Sequence, residues 1–261
     1  MICIFAGDGS LPKEIISSLN KKKIKHIILN LSRSKIKNSI NIKISQIGKI
    51  LKILKEKKVK EAIFAGYVQR PNLKNFKLDL KAVTYLPNLI NAFKKGDGNI
   101  LNLAKKILNN NKVKVIECHK YCSHLLLNKT PTKSKPNPND FKDFKKGKSI
   151  LNALSKYDNA QGIILDNGYI LAIESAEGTD EMLKRINKIK RNKKFSGILI
   201  KLPKTKQNLN YDLPTIGFKT IKLCIKSNLK GIFLKKNQNI FLDQKKSINY
   251  ADKNNLFISA I

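Results

Sequence analysis

Apolar positions recur along this chain in two rhythms. Short continuous runs at 2–6, 26–31, 61–65 and 113–117 have strand length. Between them lie stretches in which apolar residues return every three or four positions, at 11–22, 45–57, 86–95 and 99–109. The second of these places Ile47, Ile50, Leu51 and Leu54 on one helical face. Strands alternating with helices of this length predict βαβ units and a parallel sheet. A polar stretch at 128–140 interrupts the pattern, which restarts with a helix at 140–156. Two strands, 162–165 and 169–175, flank Asn167-Gly168, a pair suited to a tight hairpin because both residues accept positive φ. A helix at 179–191, a strand at 197–201, a polar loop and a helix opened by Pro214 over 214–228 follow. Strands at 231–234, 239–242 and 256–259 surround a last helix at 244–254.

The expected fold class is therefore α/β in two domains. Residues 1–127 form a Rossmann-like parallel sheet with helices on both faces, and 140–261 an α/β domain with a mixed sheet. A Pro-rich linker over 128–139 joins them.

Composition changes this picture in two places. With 41% hydrophobic and 27% charged residues, 261 residues suffice for globular cores. No apolar run approaches the roughly 20 residues that span a bilayer, and the N-terminus lacks the basic start of a signal peptide. Four scattered cysteines make no disulfide framework, so the expected compartment is the cytoplasm. The net charge of +35 points first to nucleic acid. Yet 49 of the basic residues are lysine and four are arginine, the better reader of bases and phosphates. Together with 36 isoleucines and 29 asparagines they reflect A/T-rich coding, and the lysines are spread over both halves. The charge reads as a solvated surface that attracts anionic ligands or lipid headgroups rather than nucleic acid. The 18 acids, by contrast, become informative through scarcity, and Glu174, Glu177, Asp180 and Glu181 fall close together.

Several motifs carry candidate chemistry. Gly7-Asp8-Gly9-Ser10 lies between a strand and a helix, where backbone N–H groups can meet a phosphate. Pro12 stands where a dinucleotide fingerprint needs its third glycine, so a tight turn with a capping Ser10 competes with a ligand loop. Gly66 to Pro71 follows the third strand, where the crevice of an open α/β sheet lies, and Arg70 there is a candidate anion clamp. Lys95-Gly96-Asp97 sits between two helices. In the second half a strand ends at Glu174, turns through Gly178 and enters a helix, with Thr179 as the expected N-cap. The helix dipole accounts for Asp180 and Glu181 as first-turn acids, but not for Glu174 and Glu177. Carboxylates in this arrangement suit Mg²⁺. Asp212, before Pro214, reads on its own more readily as a helix-start residue than as a catalyst. Cys118, His119, Cys122 and His124 match no common zinc spacing.

Taken together, Ala6-Gly-Asp-Gly-Ser-Leu-Pro12, Phe64-Ala-Gly-Tyr-Val-Gln-Arg-Pro71, Lys95-Gly-Asp97, Glu174-Ser-Ala-Glu-Gly-Thr-Asp-Glu-Met-Leu183 and Asp212-Leu-Pro-Thr-Ile-Gly217 resemble one family nearly end to end. It is the two-domain UDP-2,3-diacylglucosamine pyrophosphatase family of lipid A biosynthesis in Gram-negative bacteria, unrelated to metallophosphoesterases. The resemblance implies Mg²⁺-dependent hydrolysis to UMP and 2,3-diacylglucosamine 1-phosphate, with water attacking the sugar-side phosphorus. It implies Asp212 as the catalytic residue; Glu174, Glu177 and Asp180 can hold Mg²⁺, and Asp212 could bind the same metal or orient water as general base. Gly9, Ser10, Leu11, Gly66, Arg70, Lys95, Asp97, Thr179 and Thr215 would bind substrate. The partner would be a lipid-linked nucleotide sugar held in an interdomain groove, with the linker as hinge and no role for nucleic acid. The reading leaves room for peripheral association with the inner membrane and for a homodimer. Two departures stand out: Asp8 replaces the middle glycine of the first loop, and the run from Gln207 to Tyr211 just before Asp212 lacks the expected acid and arginine, which leaves Lys204 or Lys206 to take the arginine's place. A dehydrogenase-type nucleotide enzyme and a charge-driven nucleic-acid binder are the competing readings.

Overall fold

A computed structural model describes residues 1–68, 79–95, 97–157, 159–190, 194–205, 209 and 213–261, leaving aside the side chains of Lys95, Asp97 and Asn187. The chain separates into two units, Met1–Ser123 and His124–Ile261.

The first unit follows the predicted alternation. Its strands are β1 (Ile2–Ala6), β2 (His26–Asn30), β3 (Ile40–Asn41), β4 (Glu61–Ala65) and β5 (Lys114–Val115), paired in the order β3-β2-β1-β4-β5 and all parallel. Helix α1 (Leu11–Lys21) leads from β1 to β2, and α2 (Ile47–Glu56) carries the chain back to β4. Right-handed crossovers in opposite directions put these helices on opposite faces. Helices α3 (Leu80–Thr84), α4 (Leu86–Lys95) and α5 (Asp97–Asn110) lie between β4 and β5. The sequence pattern misses β3 and α3, which are too short to show a period. One carboxylate ties two helix starts together, because Asp79 accepts from Ala82 N at 2.8 Å and from Lys49 N at 3.1 Å. Burial pushes the Asp79 carboxyl up, but the surrounding backbone N–H groups outweigh it and hold it below its ordinary range.

In the second unit α6 (Pro138–Leu154) precedes the hairpin β6 (Gly162–Asp166) and β7 (Tyr169–Ile173), then α7 (Thr179–Ile189) and β8 (Ile198–Lys201). A short β9 (Thr215–Ile216), α8 (Phe218–Lys226), β10 (Gly231–Leu234), β11 (Ile240–Phe241), α9 (Gln244–Lys253) and β12 (Phe257–Ala260) complete it. The main sheet runs β12-β10-β8-β6-β7, mixed because β6 is antiparallel to both neighbours. Asn167 and Gly168 carry φ of 48° and 82°, as the hairpin required. Alternate strand residues serve opposite cores. Ile164, Leu199, Ile232 and Ile258 pack with Met182, Leu183, Ile186 and Ile221 of α7 and α8, while Ile163, Leu165, Ile200 and Phe233 pack with Leu151 of α6.

One expected element is corrected. Pro214 does not open a helix: Thr215 and Ile216 pair with Ile240 and Phe241, and α8 begins only at Phe218 after Gly217. The fixed φ of proline suits an extended entry as well as a helical one, and the pairing partner lies too far along the chain to be read locally. Residues 128–139, expected as the linker, are tied to the second unit. Ile258 N donates to Thr132 Oγ1 at 2.8 Å and Lys133 N to Asp252 Oδ1 at 2.8 Å. Asn137 and Asp140 then cap α6 reciprocally. Among the described residues no helix is long and apolar enough to cross a membrane.

Candidate functional site

Most of the expected site residues that are described fall on two edges, one in each unit, and each edge is built from its own strand ends.

In the first unit the strand order reverses between β1 and β4, the place where open α/β sheets bind ligands beyond the carboxyl ends. The two turns that leave these strands are joined. Asp8 N donates to Tyr67 O at 2.7 Å and Tyr67 N to Asp8 O at 3.0 Å, while Gly7 N donates to Ala65 O at 2.7 Å. Both turns need glycine here: a Cβ on Gly7 would collide with the Tyr67 carbonyl, and one on Gly66, whose φ is 82°, with the Asp8 carbonyl. Gly9 is required for a different reason, a φ of 103° in open space. The middle position has neither demand and binds through its backbone, so an aspartate is accommodated at Asp8. Gly9, Ser10 and Gly66 are exposed on this rim and Leu11 is buried beneath it. Ser10 occupies the N-cap of α1 without a side-chain cap hydrogen bond, so the turn does not use it as a capping serine.

In the second unit the carboxyl ends of β7 and β8 share an edge with the start of α7. The N-cap of α7 is Gly178, with φ 78°, and Thr179 is the first helical residue, not the cap. A positive φ at the cap favours glycine and frees the threonine hydroxyl. It accepts from Lys201 Nζ at 2.5 Å, and Glu174 Oε2 lies 3.4 Å from the same nitrogen. Arg185 donates to Glu177 Oε1 at 2.8 Å and holds that carboxyl below its ordinary range. Thr220 Oγ1 donates to Asp180 Oδ1 at 2.9 Å, with Lys219 Nζ 3.0 Å from Oδ2. Glu181 pairs with Lys184 at 2.6 Å. Thr215 sits on β9 and donates to Leu213 O at 3.1 Å. Asp212, Arg70 and Lys206 lie outside the described residues, as do the side chains of Lys95 and Asp97. The chain just after Asp212 is anchored, since Leu213 is buried and Pro214 O accepts from Ile240 N at 2.8 Å.

The same contacts engage the described acids expected to hold Mg²⁺. Glu174, Glu177 and Asp180 each face a different cation, and among the described residues no three His, Cys, Asp or Glu groups converge where they could hold a metal ion. The fourth expected ligand, Asp212, lies outside the described residues. Sequence reasoning missed Lys201, because one lysine among 49 carries no signal. The available hint was its place at the end of an otherwise apolar strand. Near the zinc-like stretch, His119 Nε2 lies 3.2 Å from Glu117 Oε2, and burial raises the Cys122 thiol.

Residues 1–125 match the LpxI N-terminal domain and residues 128–259 the LpxI C-terminal domain. Over 270 residues the chain is 29% identical to the UDP-2,3-diacylglucosamine pyrophosphatase LpxI of Caulobacter vibrioides, covering 99% of this chain and 96% of that protein.

Proposed function

Since the chain belongs to the LpxI family, we propose that it hydrolyses the pyrophosphate of UDP-2,3-diacylglucosamine, giving UMP and 2,3-diacylglucosamine 1-phosphate. The observation that carries the proposal is the presence of both family domains, in order, in one chain similar end to end to a curated pyrophosphatase.

Each edge supplies chemistry that such a reaction needs. Phosphoryl transfer depends on positioning and on offsetting phosphate charge. The joined turns hold the exposed Gly9-Ser10 backbone at the switch point of the first sheet, at the start of α1. The second unit offers the Lys201 edge and the anchored segment that follows Asp212. In this reading water attacks the sugar-side phosphorus, with Asp212 as the catalytic residue, and the bridging oxygen leaves with UMP. Mg²⁺ dependence is proposed from the family resemblance, and no step is assigned to the ion because the described acids do not assemble around one point. The location proposed is the cytoplasmic face of the inner membrane, where the basic surface favours an anionic lipid substrate. Incubating the protein with UDP-2,3-diacylglucosamine, with Mg²⁺ or with a chelator, tests the proposal. UMP is expected only with Mg²⁺, and no UMP in either case refutes it.

A further inference from the structure

Three residues stand in one row at the edge of the second sheet. Lys201 at the end of β8 pairs with Gly162 at the start of β6, and Glu174 N, just past β7, donates to Gly162 O at 2.9 Å. Residues in such a row project to one face, here the face covered by α7. The central residue has no side chain, and a Cβ on Gly162 would strike Glu174 Oε2 and approach Met182 Cε at 3.4 Å. Gly162 is thus the notch through which Glu174 reaches across a strand to Lys201.

The ammonium is costly where it lies. Its side chain is 5% exposed and that of Glu174 13%, and the rest of β8 is wholly apolar and buried. Desolvating such an ion is costly, and only a close, well-hydrogen-bonded pair repays it. The pair with Glu174 is loose at 3.4 Å, and among the described residues three N–H bonds find two partners. A fourth apolar residue in β8 would serve the fold better. The edge is also where this sheet's parallel strands end, and the turn beyond Glu174 is exposed at Ser175, Ala176 and Glu177.

We infer that Lys201 contacts the substrate's pyrophosphate and that Glu174 acts through it as a positioning residue, rather than as a metal ligand. A phosphate oxygen replaces the loose contact to Glu174, as a lysine point charge allows. As water oxygen bonds to the sugar-side phosphorus and the anhydride bond to the bridging oxygen breaks, UMP gains charge. The two protons of water pass to the products and solvent, and Lys201 offsets charge without surrendering a proton. This inference rests on the pyrophosphatase reading.

The test uses the full chain and UMP release at varied substrate and Mg²⁺, for wild type, Lys201→Met, Glu174→Gln and the double variant. Lys201→Met is expected to lower kcat/KM about 10²–10³-fold, the usual cost of one lost oxyanion donor. Glu174→Gln should lower it less and leave the half-saturating Mg²⁺ concentration unchanged, and the double variant should be no slower than Lys201→Met. Met fills the same space without needing a partner, so the double variant should unfold at or above the wild-type midpoint. Lys201→Met as active as wild type, a multiplicative double variant, or a many-fold rise in the Mg²⁺ requirement of Glu174→Gln overturns the inference alone. A wild type that releases no UMP overturns the pyrophosphatase reading, and the inference with it.

Discussion

Replacing Asp140 by alanine removes two interactions that one carboxylate makes at the start of α6. Oδ2 accepts from Asn137 N at 2.9 Å, half of the reciprocal cap, and Oδ1 lies 2.6 Å from Lys230 Nζ. Asn137 is exposed, so its N–H can turn to water once alanine removes its partner, and the loss is that of a helix cap, about 0.5–2 kcal/mol. Losing a buried ion partner costs about 3–5 kcal/mol, but Lys230 is 26% exposed and can turn to water, which leaves about 1 kcal/mol of that. The sum, about 1.5–3 kcal/mol, corresponds to a fall of roughly 3–12 °C in Tm at 2–4 °C per kcal/mol for a domain of this size. Asp140→Asn retains an acceptor for Asn137 and should lose about half as much. The chain has no Trp, so urea and thermal unfolding are best followed by far-ultraviolet circular dichroism. Asp140→Ala within about 0.5 kcal/mol of wild type, the range of an ordinary surface change, would refute the reasoning.

Other outcomes follow from the same contacts. Asp212→Ala should abolish UMP release while leaving the circular dichroism spectrum unchanged; normal turnover would remove Asp212 from the catalytic role. Glu177, lowered by Arg185, adds stability that is present above the ordinary carboxylate range and lost as pH falls through its folded value. Arg185→Met should therefore flatten the acid limb of a Tm-against-pH curve. Gly7→Ala must push the Tyr67 carbonyl away, and is expected to raise the substrate KM at least 10-fold with a smaller change in the unfolding midpoint of the second unit.

Much of the fold was legible because its strands are buried on both faces. The runs at Glu61–Ala65 and Gly231–Leu234 announce themselves without reference to partners. The Asn167-Gly168 turn was equally plain, since few residues accept its backbone. What failed depended on distant pairing, as at Thr215–Ile216, where Ile240 and Phe241 supply the ladder. The rim glycines were visible as a motif, but the reason for each emerges only when the two turns are seen to touch. The acids were harder. Their scarcity made Glu174, Glu177 and Asp180 look like spare ligands, yet in a lysine-rich chain each has found a cation. Abundance hid Lys201 in the opposite way, for only burial separates it from the solvated lysines.

The pairing of Asp8 with Tyr67 also limits how this chain can change length. A residue inserted or deleted in either turn would slip one backbone past the other and cost both hydrogen bonds at once. The two turns can therefore grow or shrink only together, unlike the open hairpin tip at Asn167-Gly168. An insertion scan should find the hairpin tip permissive and the Gly7 and Gly66 turns closed to single-residue additions.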